Sequence, residues 1–299
     1  MDQASDGMAT ELSNEDSKTI DTMDCLAIVD LINREDQTVA LAVGTQRVAI
    51  AAAMDAIANA LAAGGRLIYV GAGTSGRLAV LDAAECPPTF SVSPETVVGI
   101  IAGGPAALTS ALEGAEDDEA AAVFELKRIQ LQPIDILVGI ATSGRTPFVL
   151  SAIRYAASLA VPTIGITCNP ATPLHDLADV TIAPIVGPEV ITGSTRMKAG
   201  TATKMVLNML TTGAMIRLGK TYGNLMVDLR ATNTKLRQRC VRIVRTLTGL
   251  DEQAAQELLE QANGQVKTAI VAHRCRLSIA EARRKLRATF GHLRNALEQ

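Results

Sequence analysis

The chain has 299 residues, about two domains by the usual soft prior, and is 48% hydrophobic and 20% charged with a formal net charge of −3. That balance excludes a globally basic nucleic-acid binder, and no apolar run reaches the ~18 residues of a membrane span, so neither nucleic acid nor membrane is expected as a partner. Five scattered cysteines without a Cys-x-x-Cys pair, three isolated histidines and no signal-peptide core in residues 1–16 lead us to expect reduced thiols, no metal and a cytoplasmic protein.

Residues 1–35 are mostly polar and read as an arm laid over something else. From Asp36 onward Val39, Val43, Ile50, Met54, Ile57 and Leu61 recur at helical spacing, and Gly64-Gly65 stops them. A first strand, 67–70, enters the loop Gly71-Ala72-Gly73-Thr74-Ser75-Gly76, after which Leu78, Val80 and Leu81 read as a helix. Free backbone N–H groups at such a helix start, aligned with its dipole, attract an anion.

Two familiar phosphate loops are excluded here. A Walker loop ends in Gly-Lys-Ser/Thr, whereas Gly76 is followed by Arg77 and Leu78. Gly71, Gly73 and Gly76 match a dinucleotide fingerprint, but the next strand, 96–101, ends in Ala102-Gly103-Gly104 without the acidic ribose reader. The hydroxyls of Thr74 and Ser75, with the Gly76 backbone, suit a phosphate monoester instead.

Further β-branched runs at 134–140, 163–167 and 180–184 alternate with segments that have room for helices. Apolar strands alternating with helices define an α/β fold, a doubly wound five-stranded parallel sheet over residues 36–228. In the flavodoxin-like order 2-1-3-4-5 the first and third strands are neighbours at the topological switch point, where open α/β sheets bind ligands.

The third strand leads into an echo of the first loop, Ala141-Thr142-Ser143-Gly144-Arg145-Thr146-Pro147, in which Thr146 and Pro147 suit the N-cap and first position of a helix. The repeated tetrapeptide Thr-Ser-Gly-Arg therefore places Ser143, Gly144 and Thr146 with Thr74, Ser75 and Gly76 around one phosphate.

A third loop follows the fifth strand, from Gly187 to Gly200. Ser194 or Thr195 is placed to cap the next helix, and Arg196 and Lys198 fall in its first turn. Cations there oppose the helix dipole unless they share an anion. That anion is open between a sugar phosphate, a substrate carboxylate and an acidic side chain of the protein. Methionines 197, 205, 209 and 215 are read as packing residues.

From Arg230 to the end there are 14 Lys or Arg against 6 Asp or Glu, a net of +8, which leaves −11 for the rest. Breaks at Thr248-Gly249-Leu250 and Asn263-Gly264, and a cap at Ser278, make residues 229–299 a small helical bundle. Its one aromatic residue, Phe290, gives no platform for stacking nucleic-acid bases.

The run from Gly71 through Glu85-Cys86-Pro87-Pro88, the run Glu113-Gly114-Ala115-Glu116-Asp117, the second Thr-Ser-Gly-Arg-Thr-Pro and residues 192–202 closely resemble the N-acetylmuramic acid 6-phosphate etherase family. The likeness extends over nearly the whole chain. It implies a sugar isomerase (SIS) domain, usually dimeric, that needs no cofactor or metal. It also implies cleavage of the D-lactyl ether to N-acetylglucosamine 6-phosphate and D-lactate during peptidoglycan recycling. The resemblance makes two glutamates catalytic, mapping onto Glu85 and Glu116; Glu85 is assigned as acid and Glu116 as base. From the residues alone Glu85 could equally end its helix before Pro87, and Glu116 could belong to a solvated acidic run. A phosphosugar aldose–ketose isomerase and a phosphosugar-sensing regulator are the competing functions.

Overall fold

The computed structural model describes residues 8–229 and 234–298. Residues 1–7 of the expected arm and Arg230, from which the basic segment is counted, lie outside them. The chain divides into two compact units, one running through Ala84 and resuming over Glu95–Thr211, the other formed by Glu85–Pro94 and the chain from Thr212.

The first unit opens with single 3-10 turns (Ala9–Glu11, Glu15–Ser17, Ile20–Thr22) and then α1 (Cys25–Thr45) and α2 (Arg47–Ala62). The single helix expected from Asp36 is two helices bent by 63° at Gln46. The first begins eleven residues earlier than the apolar spacing indicated, because the Asp24 side chain caps it by accepting from the Ala27 N–H. Among the described residues no single helix is long and apolar enough to cross a membrane.

Next come β1 (Leu67–Gly71), α3 (Gly73–Phe90), β2 (Val97–Ile101), α4 (Glu119–Arg128), β3 (Ile136–Ile140), α5 (Pro147–Ser158), β4 (Thr163–Ile166), α6 (Pro173–Leu177), β5 (Val180–Ile182) and α7 (Lys198–Arg217). The five strands pair in parallel in the order β2-β1-β3-β4-β5. This is the doubly wound sheet expected from the sequence, with β1 beside β3 in the register Gly71 to Ile140. Every residue of β1 and β3 is buried, as a central strand covered on both faces requires. Ile68, Val70, Leu137, Phe148, Val149 and Ile153 belong to one core cluster beneath α5.

One buried ion pair ties the strand entrances together. Arg66 Nη2 reaches Asp135 Oδ2 at 2.6 Å, and the Asp135 side chain is 2% exposed. Burial pushes that carboxyl up, but the Arg66 guanidinium and the N–H groups of Gln132 and Arg66 outweigh burial and hold it below the usual carboxylate range. A depressed folded-state value stabilises above the unfolded pKa and is lost as pH falls through the folded one. Asp135→Asn should therefore cost about 3 kcal/mol at pH 7. In urea titrations its gap from wild type should shrink below about pH 4, where the carboxyl of the unfolded wild-type chain takes a proton, and close once the folded carboxyl is protonated too.

The second unit contains a two-stranded ribbon, β6 (Thr221–Tyr222) and β7 (Leu225–Met226). It also holds the helices α8 (Thr234–Thr248), α9 (Glu252–Gln261), α10 (Val266–Cys275), α11 (Ile279–Ala288) and α12 (Leu293–Glu298). Cys240, Val244, Leu259, Ile270, Val271 and Leu286 form its core. The expected breaks and the Ser278 cap are present, the latter as a capping box with Glu281. The short ribbon turns at Gly223-Asn224, a two-residue hairpin signal that the sequence reading passed over.

Candidate active site

The carboxyl ends of β1 and β3 open into a cavity of about 390 Å³. Both repeated loops line it: Ala72, Gly73, Thr74 and Ser75 from the first, and Thr142, Ser143, Arg145, Thr146 and Pro147 from the second. Ile140 and Ala141 lie between them, while Glu116 and Asp117, Met8 and Glu11, and Thr195 complete the lining.

The two loops share a tetrapeptide but not a conformation. α3 starts at Gly73, inside the stretch that the sequence reads as a loop through Gly76, so Thr74, Ser75, Gly76 and Arg77 are all helical. The first-turn N–H groups of Gly73, Thr74 and Ser75 consequently have no intrahelical carbonyl to reach, and the Gly76 N–H already donates to Ala72. In the second loop the helix begins only at Pro147, so Thr142, Ser143, Gly144 and Arg145 stay in the turn. Thr146 holds the N-cap position, yet its hydroxyl makes no capping bond.

This offset gives the two arginines different tasks. Arg77 is turned away to the carbonyls of Leu108 and Ser110, at 3.2 and 3.1 Å. Arg145 is exposed and lines the cavity. Two helix starts, five hydroxyls of the two loops and a guanidinium thus line the cavity, with the carboxyl groups of Glu11, Glu116 and Asp117 also in the lining. Such a site can bind an anion and move protons on the skeleton attached to it.

Gly76 and Gly144 support the turns from behind. A Cβ on Gly76 would meet Ile101 Cγ1 at 2.6 Å and the Gly71 carbonyl at 2.7 Å. Gly144 has φ +66, and a Cβ there would meet Thr172 Oγ1 at 2.1 Å.

The third loop differs most from expectation. The N-terminus of α7 is capped by neither Ser194 nor Thr195 but by Glu189, a carboxylate 0% exposed that accepts from the Lys198 and Ala199 N–H groups, both at 2.9 Å. Burial pushes the Glu189 carboxyl up against the pull of those two N–H groups and of Lys198. Lys198 is buried as well, its Nζ paired with Glu35 at 2.6 Å, and Glu35 also accepts from Asn14 of the arm. The anion shared at this helix start is the protein's own, so Lys198 is a structural cation rather than a cavity residue. Ser194 and Arg196 are not among the lining residues; Thr195 is.

Glu116 sits in a 3-10 turn (Ala115–Asp117) after the left-handed Gly114, and its side chain is exposed to the cavity. Glu85 is exposed on α3 and falls in the second unit. It lies nine residues beyond Gly76, about 13 Å along the helix axis. The helix does not stop before Pro87: it continues to Phe90 with both prolines in its last turn, although each lacks an N–H and its ring crowds the carbonyl four residues back. Among the described residues no group of three His, Cys, Asp or Glu could hold a metal.

Sequence reasoning passed over Arg145, Asp117, Glu11 and Met8. Arg145 was signalled by its place in the repeated tetrapeptide, and Asp117 by its place beside Glu116. Nothing local to the arm marked Glu11 or Met8.

A parallel sheet in this order, with phosphate-suited turns at its switch point, is the architecture of an SIS domain. Residues 49–157 match the glucokinase regulatory protein N-terminal SIS domain, residues 118–213 the SIS domain, and residues 223–269 the C-terminal lid domain of glucokinase regulatory protein. A phosphoheptose isomerase from Francisella tularensis superimposes with a TM-score of 0.51 at 18% identity, over 65% of this chain and 100% of that one. Among curated proteins, the N-acetylmuramic acid 6-phosphate etherase of Rhodopirellula baltica is 57% identical over 97% of this chain and 96% of its own length. The etherases of Clostridium botulinum and Yersinia pestis are 51% and 52% identical over 98% and 97% of the chain, and 97% and 98% of their own lengths. The chain belongs to the N-acetylmuramic acid 6-phosphate etherase family.

Proposed function

We propose that the chain is a carbon–oxygen lyase that cleaves the D-lactyl ether of N-acetylmuramic acid 6-phosphate, giving N-acetylglucosamine 6-phosphate and D-lactate in peptidoglycan recycling in the cytoplasm. The observation that carries this reading is that both hydroxyl-bearing turns and Glu116 line one cavity in a chain 57% identical to an etherase over nearly its full length.

The phosphate would sit between the starts of α3 and α5, taking hydrogen bonds from Thr74, Ser75, Ser143 and Thr146, with Arg145 supplying a cation. An ether oxygen is a poor leaving group, so the bond is broken by elimination. In the open-chain sugar the aldehyde acidifies the C2 proton, and Glu116 removes it. The electron pair forms the C2–C3 double bond as the C3–O bond breaks, and the departing lactate oxygen takes a proton from Glu85. Water then adds across the unsaturated aldehyde, hydroxyl to C3 and proton to C2.

We further propose a homodimer in which Glu85 reaches a sugar held by the partner subunit. Its distance along α3 from the phosphate turn supports this. So do the exposed apolar side chains Leu26, Val29, Leu41 and Val48 on α1 and α2, which a second copy would cover.

Incubation of the purified protein with N-acetylmuramic acid 6-phosphate, without added metal or nucleotide, should release one D-lactate per sugar. Ketose formation without lactate would assign an isomerase instead, and binding without turnover a sensor.

A further inference from the structure

The wall of the cavity contributed by the N-terminal arm is anchored by buried hydrogen bonds. Thr10 is 0% exposed. Its N–H donates to Asn169 Oδ1 at 3.2 Å, its Oγ1 accepts from Asn169 Nδ2 at 3.0 Å, and its carbonyl accepts from the Gly193 N–H at 3.3 Å. Asn169, also 0% exposed, donates to the Thr142 carbonyl at 2.8 Å. One buried amide therefore fixes the arm to the turn that carries Ser143. A buried polar group with all its bonds made is a positioning device, because leaving any of them unmade is costly.

What this clasp positions is the next residue. Glu11 is exposed and lines the cavity; its N–H donates to the Met8 carbonyl at 3.0 Å, and its carboxylate has no ion-pair or hydrogen-bond partner among the described residues. Its carboxylate lies against the third loop, where a Cβ on Gly193 would stand 3.0 Å from Oε2. An ionised carboxylate only accepts hydrogen bonds. It repels a phosphate and a lactyl carboxylate, and it is complementary to neutral donors.

We propose that Glu11 is a substrate-binding residue that reads the neutral donors of the sugar, its hydroxyl and acetamido N–H groups, with the Thr10–Asn169 clasp holding it in place. This rests on reading the cavity as the phosphosugar site. The phosphate end is gripped by the two turns, and Glu11 tests what is attached to it. The arm is then a specificity element rather than a covering strap.

The test compares two probes, inorganic phosphate and N-acetylglucosamine 6-phosphate, by titration calorimetry, together with kinetics on N-acetylmuramic acid 6-phosphate. Glu11→Ala should weaken the sugar phosphate and raise KM about 10- to 100-fold, with kcat changed only a few-fold. Inorganic phosphate should bind as before or more tightly, since a negative charge has been removed nearby. Glu11→Gln keeps an acceptor oxygen and should fall between. Thr10→Val should act in the same direction and add little to Glu11→Ala in the double variant. The proposal is overturned by unchanged sugar-phosphate binding, by equal weakening of both probes, by a fall confined to kcat, or by full additivity with Thr10→Val. A wild-type protein that binds neither probe overturns the cavity reading itself, which separates the two failures.

Discussion

Replacing Glu116 by Gln should lower kcat by about 10²- to 10⁴-fold while leaving phosphosugar affinity within a few-fold, because a positioned base contributes that much and the amide preserves the shape of the site. Glu85→Gln should lose a similar factor, but at a different step. Exchange of solvent deuterium into C2 distinguishes them: it should persist in Glu85→Gln, where only protonation of the leaving oxygen is impaired, and vanish in Glu116→Gln. Exchange that survives the loss of Glu116 would reverse the assignment. If the site is split between subunits, mixing and re-associating the two inactive variants should restore up to about a quarter of wild-type activity, since half the re-formed dimers would carry one intact site out of two. No recovery would place both carboxyls on one chain.

The largest expected loss of stability falls on the second turn. Gly144→Ala must hold a left-handed backbone and force the Thr172 hydroxyl away from a Cβ that would stand 2.1 Å from it. The combined cost is about 2 to 5 kcal/mol. Since Gly144 is flanked by Ser143 and Arg145 and its carbonyl accepts from Leu174 at 3.3 Å, phosphate binding should fall with the midpoint of urea unfolding. Gly73→Ala is the control: its φ is +52 but nothing lies within 4 Å of the added carbon, so only the backbone cost of about 1 to 2 kcal/mol is expected. Equal losses at the two positions would contradict the role given to Thr172.

The sheet was legible because its signal is one-dimensional. Buried parallel strands are continuous apolar runs, and all five were located within two residues of their observed ends, in the order that places β1 beside β3. The repeated tetrapeptide then located the cavity. Helix starts were less legible, since α1 begins from a cap at Asp24 outside the apolar spacing, and α3 begins on a glycine inside what reads as a loop.

What stayed hidden depends on partners distant in sequence. The cap of α7 comes from Glu189, nine residues before the helix, and the fate of Lys198 is set by Glu35, 163 residues away. The difference between Arg77 and Arg145 follows from where each helix begins, which the shared tetrapeptide cannot reveal. The arm enters the site through Asn169, 159 residues from Thr10. No local pattern announces such a contact.

The most direct measurement is the position of the phosphorus atom in a crystal structure of the Glu116→Gln protein with bound N-acetylmuramic acid 6-phosphate. The account predicts phosphate oxygens within hydrogen-bonding distance of the Ser75 and Ser143 hydroxyls, and C2 beside residue 116. A phosphate bound away from both serines, or a sugar whose C2 and C3 approach neither residue 116 nor Glu85 of either chain, would contradict it.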